Sequence, residues 1–141
     1  MVEGDGGQVD WLDDLVNVIR EVHDRIIRES GGVLGEHTAL LYGAAARPFH
    51  SALGEFVYRS PTERAAALFH AIICDHAFVD GNKRTATVVA ISFLSVGGEY
   101  LSLEGPPSLV QISLLGGVAL LTASGDLTVE QVASWMRRLF I

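Results

Sequence analysis

The sequence predicts an all-α fold built as a single domain with one short flap. Three observations carry that prediction. Apolar residues recur at three- and four-residue spacing in the first thirty positions, two Ser/Thr-x-x-Glu/Gln capping signatures open apolar runs, and two apolar stretches are longer than ordinary strands. A chain of 141 residues with 49% hydrophobic content is sized for one domain with one core.

Residues 1–9 are acidic and glycine-rich and are expected to form a mobile tail, leaving 10–141 as the folded domain. Asp10 would cap a helix with Asp13 and Asp14 in its first turn and Arg25 and Arg28 in its last, as the helix dipole favours. Leu12, Leu15, Ile19, Val22 and Ile26 give it one apolar face, and Gly31-Gly32 stops it. Thr38 to Ala46 reads as a shorter helix ended by Pro48. Phe49 to Arg59 lacks a helical period and carries Phe56, Val57 and Tyr58, which suits a short hairpin or extended flap. Ser60-Pro61-Thr62-Glu63 is a capping box with proline at the first helical position, so a helix should run from Pro61 to about Asp75. The next should begin near Asn82 to Arg84 and continue to Gly97-Gly98. Its Thr87, Val88, Val89 and Ile91 would suit a strand, but its length favours a central helix. Helices over Leu109 to Leu121 and Val129 to Leu139, the second capped by Thr128 with Gln131, complete the domain.

Between two of these helices lies His76-Ala77-Phe78-Val79-Asp80-Gly81-Asn82-Lys83-Arg84, a base, a carboxylate, a glycine turn and two cations within nine residues. A plain turn explains Asp-Gly-Asn and a solvated pair explains Lys-Arg. Neither explains a histidine at the start, an aromatic in the middle and an arginine at a helix entry. Together they suit phosphate handling. His76 would act as a general base, Asp80 would bind Mg²⁺, and Gly81, Asn82 and Lys83 would offer backbone N–H groups to phosphate at a helix N-terminus. Arg84 adds a guanidinium able to pair with phosphate oxygens. Phe78 is expected to point into the core and anchor the loop.

This run resembles the Fic/Doc family signature, His-x-Phe-x-Asp/Glu-Gly/Ala-Asn-Gly/Lys-Arg, and matches it completely. Lys83 favours the Doc (death-on-curing) branch over the nucleotide-transferring Fic branch, which usually carries glycine there. Val22-His23-Asp24-Arg25 followed by Gly31-Gly32 also looks like the opening helix of Doc proteins, so the resemblance spans roughly residues 12 to 140. It implies an all-α bundle with a flap before the motif helix. It also implies an ATP- and Mg²⁺-dependent enzyme, a toxin that passes the γ-phosphate to a threonine of the translation factor EF-Tu. The alternatives it leaves open are AMP transfer to a protein hydroxyl and a catalytically silent Fic-fold binding module. Phe56, Val57 and Tyr58 would bind a target peptide by strand addition or simply pack. Many Fic proteins carry an inhibitory Ser/Thr-x-x-x-Glu-Gly/Asn helix. Ser51 to Phe56 and Ser95 to Tyr100 both fail to complete that pattern, so a Phd-like antitoxin in trans is the expected restraint.

Composition narrows the rest. A net charge of -7 argues against direct binding to nucleic acid or to anionic membranes and makes any phosphate recognition local. The stretches Ala86 to Val96 and Leu109 to Ala123 are too short to span a bilayer and read as buried helices. The single cysteine, Cys74, excludes an internal disulfide and reads as a core residue in a reducing compartment. The N-terminus lacks the basic and apolar regions of a signal peptide, so a cytoplasmic location is expected. His23, His37, His50 and His70 show no zinc-ligand spacing.

Overall fold

The computed structural model describes residues 3–96 and 108–140. In chain order they form α1 (Glu3–Ser30), α2 (Thr38–Ala46), a 3₁₀ turn (Arg47–Phe49), β1 (Ser51–Ala52), β2 (Glu55–Phe56), α3 (Pro61–Cys74), α4 (Asn82–Val96), α5 (Leu109–Ala123) and α6 (Val129–Phe140). The fold is all-α, with one two-stranded antiparallel sheet among the described residues.

The core is built around α3, whose Ala65 to Phe69 and Ala71 to Ile73 are all buried, so that nearly its whole circumference is covered. It packs against α2, the 3₁₀ turn, α4, α5 and α6. Helix α4, expected to be central, lies between α1, α3 and α5 and buries Ala86, Val89, Ala90 and Leu94, while Val88 on its far side is exposed. Its β-branched residues did not divert it into a strand, because tertiary burial outweighs a propensity difference of under about 1 kcal/mol per residue.

Helix α1 begins at Glu3, not at the expected Asp10. Residues 3–9 have no apolar period to mark them as helix, yet a packed helix propagates at one hydrogen bond per added residue without a new nucleation cost. The buried stripe of α1 is Val16, Ile19, His23 and Ile27, with Leu12, Leu15 and Val22 partly buried beside it. Of the expected apolar face Ile19 lies in this stripe while Leu12, Leu15, Val22 and Ile26 flank it, and a histidine sits in the middle of the stripe.

The hairpin turns through Leu53 and Gly54, both at positive φ (54° and 81°), the geometry of a tight primed turn. Phe56 is exposed and lies 4.8 Å from the Arg64 guanidinium, and Arg64 Nε donates to the Tyr58 carbonyl (3.0 Å), so α3 holds the flap from below. Ser60 caps α3 by accepting from the Glu63 amide (3.1 Å), but its hydroxyl donates to the Glu63 carboxylate, so the expected capping box is not reciprocal. The Thr128–Gln131 box is reciprocal, and a further one at Ser108–Gln111 opens α5.

Two expectations are corrected. Helix α5 is not buried all round, since Leu109, Val110, Leu114, Leu120 and Leu121 are exposed while Leu115, Val118, Ala119 and Thr122 face the core. Cys74 is exposed at the end of α3, where the helix turns its last residue away from the core. The expected Gly97-Gly98 stop lies outside the described residues. Among those described, no helix is long and apolar enough to cross a membrane.

Candidate active site

The motif loop leaves α3 through a helix end that places His76 in the left-handed region, at φ 51°. Asp75 is the C-cap, and the Ala77 amide reaches back to the Ile72 carbonyl (3.4 Å), the six-to-one bond of a Schellman end. Glycine usually occupies that position. Here a histidine does, and the turn swings its exposed side chain out of the α3 axis. Arg47 Nη2 donates to Asp75 Oδ2 at 3.0 Å and steadies the cap from outside.

Beyond His76 the chain is tied on both sides. Phe78 is buried, and its backbone N–H and C=O are both taken by the side chain of Asn82, at 2.9 and 2.8 Å. Asn82 thus closes the loop from inside, with both polar atoms of its side-chain amide engaged by Phe78. On the other side the connection from α1 to α2 runs antiparallel to the motif. The Val79 amide donates to the Gly35 carbonyl, the His37 amide to the Ala77 carbonyl, and the Val33 amide to Asp80 Oδ2, at 3.0, 2.9 and 3.1 Å.

Asp80 also accepts from the Gly81 amide on Oδ1 (2.8 Å), so the Gly81 N–H is engaged within the loop. The Val33 and Gly81 amides, with the Arg84 guanidinium behind them, hold the Asp80 carboxyl below the usual carboxylate range. It is therefore an ionised group at neutral pH, with about half its side chain open to solvent. The approach of the α1–α2 connection is so close that a Cβ on Gly32 would lie 2.6 Å from Asp80 Oδ2.

Arg84 Nη1 donates to Ser30 Oγ (2.6 Å) and to the Gly31 carbonyl (2.9 Å), and Nη2 lies 3.9 Å from Asp80 Oδ1. Among the described residues no hydrogen bond engages Nε or Nη2. The first-turn amides of Asn82, Lys83 and Arg84 have no carbonyl acceptor within α4, as at any helix start. His76, Asp80, Gly81, Asn82 and Lys83 line one cavity of about 160 Å³, closed by Ile73, Val79 and Ala123. A larger groove of about 440 Å³, mostly apolar, lies on the other side of Lys83 and Arg84, between Ile26, Val88, Ile112 and Leu120. Lys83 borders both.

His23 has no zinc-ligand spacing in the sequence, and the structure buries it against the motif. Its Nε2 is 2.7 Å from the Asp80 carbonyl and its ring stacks on Phe78 at 3.8 Å between centroids. Its local signals are its place within the apolar stripe of α1 and the Val22-His23-Asp24-Arg25 segment that resembles the opening helix of Doc proteins, neither of which points to a contact with the motif. Phe56, Val57 and Tyr58 do not line either cavity.

The Asp80 carboxylate has the donor chemistry for a divalent cation, since each oxygen keeps a lone pair after accepting one amide and the group is ionised and part-exposed. It would be a one-carboxylate site, because no cluster of three or more ligating side chains is found among the described residues. Mg²⁺ is commonly held by one or two carboxylates, with phosphate and water completing its shell.

The domain is all-helical and presents a histidine, an ionised aspartate and a lysine around a helix N-terminus. The chain belongs to the Fic/DOC family, whose model matches residues 11–94. It is similar to Toxin Doc of Mycolicibacterium smegmatis, 42% identical over 65 residues, which cover 46% of this chain and 50% of that protein. The match therefore spans about half the length of that curated relative, and with Lys83 it favours the Doc-like branch.

Proposed function

We propose that this protein is a Doc-like toxin that transfers the γ-phosphate of ATP to a hydroxyl, a threonine in the first instance, of a translation factor such as EF-Tu. The observation that carries the reading is the shared cavity of His76, Asp80 and Lys83 at the start of α4. His76, exposed and projecting from a fixed helix end, takes the proton from the incoming hydroxyl, a role worth about two to four orders of magnitude in rate. The amides of Lys83 and Arg84, with the Nε and Nη2 of Arg84, which no hydrogen bond engages among the described residues, hold phosphate oxygens through charge-assisted hydrogen bonds. Asp80 would hold Mg²⁺, which supplies charge neutralisation on the phosphates when bound. Lys83, standing between the cavity and the apolar groove, selects which phosphate faces His76.

A Phd-like antitoxin acting in trans accords with the name of the relative and with the open apolar groove that ends at Lys83 and Arg84. A cytoplasmic site of action follows from a target in the translation machinery.

The test is incubation with Mg²⁺ and ATP labelled separately at the α and γ positions in a translation extract. Label should pass to protein from the γ position, and Lys83→Gly should lose that transfer. Label passing only from the α position would replace phosphotransfer with AMP transfer, the second reading that the motif allows. No label from either would leave a silent binding module.

A further inference from the structure

We propose that His23 is a positioning residue for the catalytic loop, acting on Asp80 through its main chain. His23 lies on α1, 57 residues from Asp80 in sequence, and is almost fully buried. A carbonyl oxygen only accepts, so the 2.7 Å contact to the Asp80 carbonyl places the proton on His23 Nε2. That carbonyl belongs to the peptide group whose N–H, on Gly81, donates to Asp80 Oδ1 at 2.8 Å. One peptide plane is therefore held at its oxygen by His23 and at its nitrogen by the Asp80 carboxylate, and fixing the plane fixes the carboxylate.

The rest of the ring has no freedom to move. It stacks on Phe78 with an interplanar angle of 5°, and a Cβ on Gly81 would come within 3.6 Å of its Cδ2. Phe78 is itself clamped by Asn82. His23 thus meets the loop both before and after Val79. Satisfied buried polar contacts of this kind hold a site to one geometry, and losing an outer partner of a ligating residue typically costs about 10- to 100-fold.

A core histidine with a merely packing role would be replaced without loss by a ring of the same shape. His23→Phe keeps the stack and removes the donor, whereas His23→Gln restores a donor near the position of Nε2. In the full-length chain we expect His23→Phe to melt as a folded protein, to exchange the Gly81 amide about tenfold faster, and to transfer label about 10- to 100-fold more slowly. His23→Gln should recover most of both. The activity arm rests on the transfer reading, but the exchange arm does not, so a wild type without transferase activity leaves the exchange comparison to decide. Wild-type exchange and transfer in His23→Phe, or a His23→Gln as impaired as His23→Phe, would overturn the proposal. Should His23→Phe fail to fold, the wild type itself decides by nitrogen-15 NMR, where an unprotonated Nε2 at neutral pH contradicts the donation.

Discussion

At His76 backbone strain coincides with the proposed general base. Its left-handed conformation costs roughly 1–2 kcal/mol for a residue with a Cβ, and the Schellman end that imposes it also projects the imidazole into the cavity. Substitution separates the two effects. His76→Gly should be about 1 kcal/mol more stable than His76→Ala, by chemical denaturation, while both lose transfer. Equal stabilities would show that the turn does not constrain this position. Gly32 is the second residue whose identity the site dictates, since its φ of 131° and the 2.6 Å approach to Asp80 Oδ2 leave no room for a methyl group. Gly32→Ala should destabilise the protein by about 1–3 kcal/mol and weaken Mg²⁺-dependent nucleotide binding, and a variant that binds like the wild type would detach Gly32 from the site. The motif that holds His76, Asp80 and Arg84 was legible in the sequence because its residues lie within nine positions of one another, and the structure brings His76 and Asp80 to one cavity. His23 was not, because its partner is fifty-seven positions away and a buried histidine on an apolar stripe has no pattern of its own.

At the scale of elements, the helices that announced themselves did so through local chemistry. Pro61 with the Ser60 cap, Thr128 with Gln131, and the glycine pair after Ser30 set boundaries that the structure reproduces within a residue. The connection between α1 and α2 owes its shape to a distant strand-like pairing with the motif and has no local signature. Its anchor is Glu36, which accepts from Arg20 Nε on Oε1 and from Arg20 Nη2 on Oε2, at 2.6 and 2.7 Å, and from Thr38 Oγ1 at 2.8 Å. Chiefly the Arg20 hydrogen bonds, and secondarily Thr38, hold the Glu36 carboxyl below its ordinary value. A lowered folded-state value means that this contribution is complete above the unfolded value of about 4.3 and disappears as pH falls through the folded one. Glu36→Gln should therefore lower stability by about 1 kcal/mol at pH 7, and the gap to wild type should close as the pH falls below about 4. A gap independent of pH would assign Glu36 to packing.

For the whole molecule, apolar spacing and capping signatures predicted an all-helical fold, but hydropathy alone misjudged how α5 is used. A helix with leucine on every side reads as buried, yet only the side bearing Leu115, Val118 and Ala119 meets the core. The opposite leucines are left to solvent, and the Ile112 and Leu120 edge forms one wall of the groove that ends at Lys83 and Arg84. Hydropathy cannot separate these two cases, because the number of neighbouring helices is a property of the fold and not of the segment. The exposure can be tested without reference to any partner. Leu120 keeps 60% of its surface in water, so Leu120→Glu removes little burial and should change stability by no more than about 0.5 kcal/mol, while reducing the binding of a hydrophobic dye. A drop of several kcal/mol would mean that this face is covered in the free protein, and the concentration dependence of the melting temperature would then distinguish self-association from packing within the chain.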